Sequence, residues 1–320
     1  MTTRQHPIGS GFGAETTASE VLAGIDLSDK TIVVTGGYSG IGIENVRSFS
    51  AAGATVVVPA RRPDKVRAAL DGLERVEVDE LDLADLESVR AFAERFLTSG
   101  RPLDILLNNA GIMANPETRV GPGWESQFAT NHLGHFALTN RLRDALAERG
   151  ARVISVTSRL HKASPIRWDD MHFERGYDKW QAYGQSKTAN VLFAAELDRL
   201  GAPAGIRAFA VYPGAIKTPL QRHLDAEETA DRFDEHGNPL IHWKTPEQGA
   251  ATSAWGATSP QLDGMGGVYL ENCDVAEVAD PDPEEGQRRG VNPWAIDPKE
   301  ARRLWKISAE LTGVDAFAGA

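Results

Sequence analysis

Tyr183 and Lys187 stand four residues apart in the run Ala-Tyr-Gly-Gln-Ser-Lys-Thr-Ala-Asn, near the start of a long stretch that reads as an amphipathic helix. On a helix that spacing sets a phenol and an ammonium on one face, one turn apart. A cation beside a phenol favours phenolate and lowers its pKa toward neutral pH. A tyrosine tuned in this way trades a proton with an alcohol or carbonyl oxygen. The same spacing also occurs on solvated helices, so the elements that position the pair decide its meaning.

Those elements alternate from residue 31 onward. Short β-branched or apolar runs predict strands at 31–35, 55–59, 75–78, 103–107, 152–156 and 206–211, with a candidate seventh at 268–270. Helices are expected at 41–52, from Pro63, at 86–97, from just after Gly123 to about Glu148, and at 180–200. Near-continuous apolar strands separated by helices predict an α/β fold, a doubly wound parallel sheet of about seven strands covered on both faces. Residues 1–30 read as an N-terminal arm ending in a short helix, and 31–272 as one dinucleotide-binding catalytic domain. Residues 273–320 read as an acidic loop at 275–292 and a helix carrying Arg302, Leu304 and Trp305, packed on the same domain.

Composition narrows the function. The chain has 320 residues, 41% of them hydrophobic, enough for a sizeable core. A net charge of −11 argues against a nucleic-acid or anionic-membrane surface. The single cysteine, Cys273, excludes an internal disulfide and a Cys-rich metal site. His132, His135, His161, His172, His223, His236 and His242 show no convincing ligand spacing, so no metal is expected. No stretch of 18 apolar residues suggests a membrane anchor, and Met1 to Gly13 lack the apolar core of a signal peptide. A soluble cytoplasmic protein is expected.

Thr35-Gly36-Gly37-Tyr38-Ser39-Gly40-Ile41-Gly42 falls between the first strand and the first helix. Glycines there let the backbone turn sharply and approach a phosphate, which the helix N-terminus then attracts. The second strand ends in Pro59-Ala60-Arg61-Arg62 rather than in a carboxylate. Two guanidiniums at that place suit a ribose 2′-phosphate. NADP(H) is therefore expected over NAD(H), although both arginines also fit a solvated helix start with Asp64 nearby.

The glycine spacing, Asn108-Asn109-Ala110-Gly111 after the fourth strand, Ser158, Tyr183 with Lys187, and Pro213-Gly214 fall in one order over about residues 30–270. That order resembles the short-chain dehydrogenase/reductase family. The resemblance implies a Rossmann-type fold and a nicotinamide cofactor contacted by Gly36, Tyr38, Ser39, Gly40, Ile41, Gly42, Arg61, Arg62, Asp82, Leu83, Asn109, Ala110, Gly111, Tyr183, Lys187, Pro213, Gly214, Ile216 and Thr218. Asp82 also suits a helix cap. It further implies a catalytic set of Asn131, Ser158, Tyr183 and Lys187. Ser158 is selected over Ser155 and Thr157 by motif. Tyr183 would exchange the proton, Ser158 would orient the substrate oxygen, Lys187 would lower the Tyr183 pKa and touch the nicotinamide ribose, and Asn131 would hold a relay water. The implied reaction is hydride transfer between NADP(H) and a small-molecule carbonyl or alcohol. A cofactor sensor without turnover, and an isomerase or dehydratase working through a transient ketone, are the alternatives.

The N-terminal segment 11–28, the long gap from Ser158 to Tyr183 and Arg303-Leu304-Trp305-Lys306-Ile307-Ser308 are similar to the retinol dehydrogenase and WW-domain oxidoreductase branch. A soluble, bacterial-type member without membrane anchor or WW domain is expected. Loops 159–180 and 218–243 should wall the substrate, with Phe173, Trp180, Phe233 and Trp243 suiting an apolar or aromatic compound. The resemblance also implies a possible homodimer through the helices after the fourth and fifth strands, which the terminal additions could replace.

Overall fold

The computed structural model describes residues 3–225, 227–228, 242–280 and 289–318. Its main sheet contains β1 (Thr31–Val34), β2 (Thr55–Ala60), β3 (Val76–Glu80), β4 (Ile105–Asn108), β5 (Ala151–Val156), β6 (Ile206–Tyr212), β7 (Val268–Glu271) and β8 (Asp274–Val275). The spatial order is β8-β7-β6-β5-β4-β1-β2-β3. All neighbours pair in parallel except β8, which runs antiparallel to β7. The seven expected strands are present, and β8 is an eighth, formed where the sequence suggests that the acidic loop begins. Strand order reverses between β1 and β4, and ligands of open α/β sheets bind off the carboxyl ends of strands at such a switch.

Helices cover both faces, which is why β1 and β4 are buried at every position. One layer holds α1 (Ala18–Val21), α2 (Gly40–Ala51) and α6 (Pro246–Thr258). The other holds α3 (Leu86–Thr98), a composite α4 (126–147), α5 (Lys179–Gly201) and α7 (Pro298–Thr312). The helix expected after Gly123 starts later and is broken. Trp124–Glu125 pair with Arg119–Val120 as a small hairpin, Ala129–Leu133 form a π turn, and the helix breaks again at Leu142. A π turn inside an α-helix is a frequent mark of a functional site. Here it contains Asn131.

α5 is not amphipathic as expected. It is buried on nearly every face because α7 covers its outer side. Trp305 of α7 stacks on Phe193 of α5 at 5.9 Å and meets Phe136 of α4 edge-on, while the Ser308 hydroxyl hydrogen-bonds His132 at 2.7 Å. The N-terminal arm is held at the β7–β8 edge of the sheet. The amides of Ile8, Gly9 and Ser10 donate to the Asp274 carboxylate, and Gln5 bonds the backbone of Tyr269 and Ala276. Among the described residues no helix is long and apolar enough to cross a membrane.

Candidate active site

The turn from β1 into α2 is shaped by its glycines. Gly36 and Gly40 adopt φ of +64° and +56°, a region that costs other residues strain. A Cβ on Gly36 would lie 3.0 Å from the Ala110 backbone, and one on Gly42 would strike the Gly36 carbonyl. The turn is thus folded onto the β4 loop with its amides at the start of α2, a cradle that side chains would fill. Thr35 secures it: its hydroxyl accepts from the amides of Asn109 and Ala110, and the Asn109 side-chain amide donates to the Thr35 carbonyl at 2.8 Å. Thr218 packs against Gly40 and Gly214 turns with φ +104°, so the segment after β6 closes the same space.

Arg61 and Arg62 are exposed at the end of β2, and among the described residues neither has an ion-pair partner. Asp64 is turned toward Arg67 at 3.9 Å rather than toward them. Asp82 accepts from the Ala84 amide, and its neighbour Asp85 caps α3, so the cap expected of Asp82 belongs to Asp85. Leu83 is buried in the core, with its carbonyl against Gly134. Tyr38, Ile41 and Ile216 line the β1 side of the sheet as partly or fully buried apolar residues.

Ser158 follows β5 in extended backbone; its hydroxyl accepts from the Leu160 amide at 3.1 Å and lies near enough to the Tyr183 phenol to favour its ionised form. The competing hydroxyls are occupied elsewhere: Thr157 donates to the Lys187 carbonyl, and Ser155 is buried in the strand. The turn after Ser158 packs flush on α5 at Gly184, where a Cβ would lie 2.8 Å from the Leu160 carbonyl. Tyr183 and Lys187 share a face of α5, with the Lys187 Nζ 5.6 Å from the Tyr183 ring centre and donating to the Val156 carbonyl at 3.0 Å.

Burial overturns the simple expectation for this pair. Desolvation pushes the Tyr183 phenol well above its usual pKa, and the nearby Ser158 hydroxyl acts in the opposite sense. The same loss of water pushes Lys187 down to about 7. The lysine therefore does not lower the tyrosine pKa by outright charge, because its own ammonium is disfavoured.

Asn131 is fully engaged. Its amide oxygen accepts from the Ile112 amide, and its nitrogen donates to the Ile112 carbonyl and the Ser186 hydroxyl. Its main-chain carbonyl accepts from Nδ1 of His135, whose Nε2 meets the Thr35 hydroxyl at 2.9 Å. Gly111 sits between Asn131 and Lys187. One buried network thus joins the glycine turn, the π turn and α5.

The short chain dehydrogenase family profile matches residues 30–229. The chain belongs to the short-chain dehydrogenase/reductase family. It is 47% identical over 300 residues to a probable oxidoreductase of Streptomyces lividans, covering 89% of this chain and 98% of that protein. Human retinol dehydrogenase 12 is 36% identical over 297 residues, covering 91% and 88%. A structure described as an NAD(P)-dependent gluconate 5-dehydrogenase from Beutenbergia cavernae, with bound NADP, superposes with a TM-score of 0.61 at 28% identity over 77% of this chain and 95% of that one. The protein is accordingly an oxidoreductase of the short-chain dehydrogenase/reductase family, with a small-molecule substrate and an NAD(P)(H) cofactor.

Around Tyr183 the family scaffold carries an apolar cluster of Met113, Ala114, Leu160, Trp180, Leu220 and Leu224. Of the three described aromatic residues expected to wall the substrate, Phe173, Trp180 and Trp243, only Trp180 is in that cluster. Phe173 is buried under Arg167 and Tyr177, and Trp243 lies in the short pairing with Ala215–Ile216 beside Lys217. Phe233 lies outside the described residues. Met113, Leu160, Leu220 and Leu224 were missed. Leu160 and Met113 carried a signal, since each follows a motif residue by two positions, but the site leucines after Thr218 carried none. Tyr212, at the end of β6, is a second phenol close enough to raise the Tyr183 pKa further.

Proposed function

We propose that this protein is an NADP(H)-dependent oxidoreductase that interconverts an apolar carbonyl compound and its alcohol, with residues 31–272 as the catalytic domain. The observation that carries the reading is Tyr183, buried beside Ser158 among apolar side chains and next to a glycine cradle. A nicotinamide cofactor, when bound, supplies or accepts the hydride. The turn from Gly36 to Gly42, with Tyr38, Ser39, Gly40 and Ile41, holds its pyrophosphate. Asn109, Ala110 and Gly111 line its ribose side, Asp82 and Leu83 its adenine side, and Pro213, Gly214, Ile216 and Thr218 the nicotinamide end. The exposed Arg61 and Arg62 engage a 2′-phosphate, which favours NADP(H).

In the reductive direction Tyr183 gives its proton to the substrate oxygen while Ser158 hydrogen-bonds that oxygen and fixes its place. Its raised pKa keeps Tyr183 protonated and able to donate. Lys187 returns a proton toward Tyr183. Asn131 joins this relay through its main-chain carbonyl, whose second lone pair is left after His135 Nδ1 takes the first. Met113, Leu160, Trp180, Leu220 and Leu224 select an apolar substrate and exclude water.

The test is turnover of a panel of apolar ketones, aldehydes and alcohols with both cofactors, for wild type and Tyr183→Phe. The variant is expected to lose turnover by about 100-fold or more with cofactor binding largely intact. Wild-type turnover in the variant refutes the role of Tyr183. Cofactor binding with no turnover across the panel points to a sensor instead. Replacing Arg61 and Arg62 by alanine is expected to raise KM for NADPH by about 10-fold or more and leave that for NADH within about twofold; equal effects on both cofactors remove the 2′-phosphate argument.

A further inference from the structure

We infer that His161 is a positioning residue that ties the reactive Ser158 to the C-terminal segment. The proposal rests on the reading of Ser158 given above. His161 is fully buried, three residues after Ser158. Its amide and its Nδ1 both reach the Ser158 carbonyl, at 3.0 and 2.8 Å. On its far side Nε2 meets the main-chain amide of Asn292 at 3.1 Å. A carbonyl only accepts and an amide only donates, so the two partners fix the neutral imidazole with its proton on Nδ1. The ring packs against Tyr269 of β7 at 5.3 Å, and the His161 carbonyl accepts from Thr188 of α5.

The geometry assigns His161 a task no other side chain shares among the described residues. The Ser158 hydroxyl takes its direction from an extended backbone with φ −151° and ψ 156°. That backbone is held at its carbonyl by the His161 amide and, among the described side chains, by the His161 ring, and the ring is held by an amide 131 positions further along the chain. Asn292 is itself anchored: Val291 bridges to Val278, the Gly290 amide donates to Glu271, and Lys162 bonds the Arg289 carbonyl. The C-terminal addition thereby forms part of the support of the Ser158 turn, and releasing it should let the hydroxyl drift from Tyr183. Small misplacements of a reacting group cost large factors in rate.

The experiment is a double-mutant cycle on kcat with the best substrate of the panel, using His161→Phe, Ser158→Ala and the pair. His161→Phe keeps a ring but removes both side-chain hydrogen bonds. We expect kcat to fall about 10-fold, KM for the cofactor to stay within about twofold, and no further loss when Ser158 is already alanine. An equal loss in the Ser158→Ala background shows a general structural role and overturns the inference. Wild-type kcat for folded His161→Phe also overturns it. Wild-type kcat for Ser158→Ala instead refutes the reading of Ser158. Asn292→Pro covers the case in which His161→Phe fails to fold. Residue 292 already has φ −68°, which proline adopts, and proline removes the amide donor. The same loss of kcat, again absent in the Ser158→Ala background, is expected; unchanged kcat overturns the coupling.

Discussion

Lys187→Met should make the folded protein more stable, and the gain should shrink as pH rises. Lys187 is buried, and its pKa falls from an ordinary lysine's 10.5 to about 7 in the fold. At about 1.4 kcal/mol per pH unit, that gap corresponds to a burden on the order of 5 kcal/mol when the lysine is charged in both states. The sign follows from proton counting. Between about pH 7 and 10.5 the unfolded chain holds a proton that the native one has lost, so wild-type stability rises with pH across that window. Below about pH 7 both states are protonated and the burden is complete. Methionine fills similar space without charge. The lost hydrogen bond leaves no orphan, because the Val156 carbonyl still accepts from Asn190 at 3.0 Å. Urea unfolding at about pH 7, 8 and 9 is therefore expected to show Lys187→Met more stable than wild type, with the difference narrowing by about 2 kcal/mol between the two ends. A difference that is flat over this range, or a variant less stable at every pH, refutes the reasoning.

Acid should weaken the fold early. His132, His135 and His161 are pushed by burial to about 3, 4 and 4, so unfolding takes up protons as pH falls below about 6.5, and stability is lost down to about pH 4. His132→Gln is expected to reduce the slope of stability against pH near about pH 5 by about 1.4 kcal/mol per unit, read from urea midpoints. Gly42→Ala forces its methyl into the Gly36 carbonyl, so cofactor affinity measured by fluorescence titration should fall by about 10-fold or more with little change in helix content. Trp305→Ala should cost about 3–5 kcal/mol by removing the ring stacked on Phe193, seen as a lowered Tm. It should also increase self-association in light scattering, because α7 covers the α4/α5 face.

The sheet was legible because its strands are covered on both faces and so read as short β-branched runs, such as Thr55 to Val58. The glycine turn was legible because Gly36, Gly40 and Gly42 each answer a local backbone demand. α6 escaped notice for a related reason. It is a run of Ala, Gly, Ser and Thr buried on almost every side, and a helix buried all round has no apolar period to read. Its start did carry a signal, since Thr245, Pro246 and Gln248 form a capping box with proline in the first turn. The expectation for α5 failed because α7, about a hundred residues further along the chain, supplies its missing face. The substrate wall was read only in part. Phe173 and Leu220 lie on loops whose direction depends on contacts such as Arg167 over the Phe173 ring, which no local pattern encodes.

The pKa values of Tyr183 and Lys187 expose a limit of arguing from spacing. Spacing places two groups on one helix face but says nothing about water. In this fold one cause, desolvation, moves both groups toward their neutral forms, the phenol up and the ammonium down. Any negative charge brought close to Lys187 would raise the lysine, and the restored ammonium would in turn lower the tyrosine. Without such a charge Lys187 is neutral above about pH 7, so the basic limb of a pH–rate profile belongs to the Tyr183 phenol. Removing Lys187 should leave that ionisation in place. Lys187→Met, followed by the pH dependence of its residual turnover, is expected to leave the basic limb where it is in the wild type, because a neutral lysine gives the phenol no cation to lose. A limb that moves upward would show that Lys187 stays charged beside Tyr183 and that burial alone does not set the phenol's proton affinity.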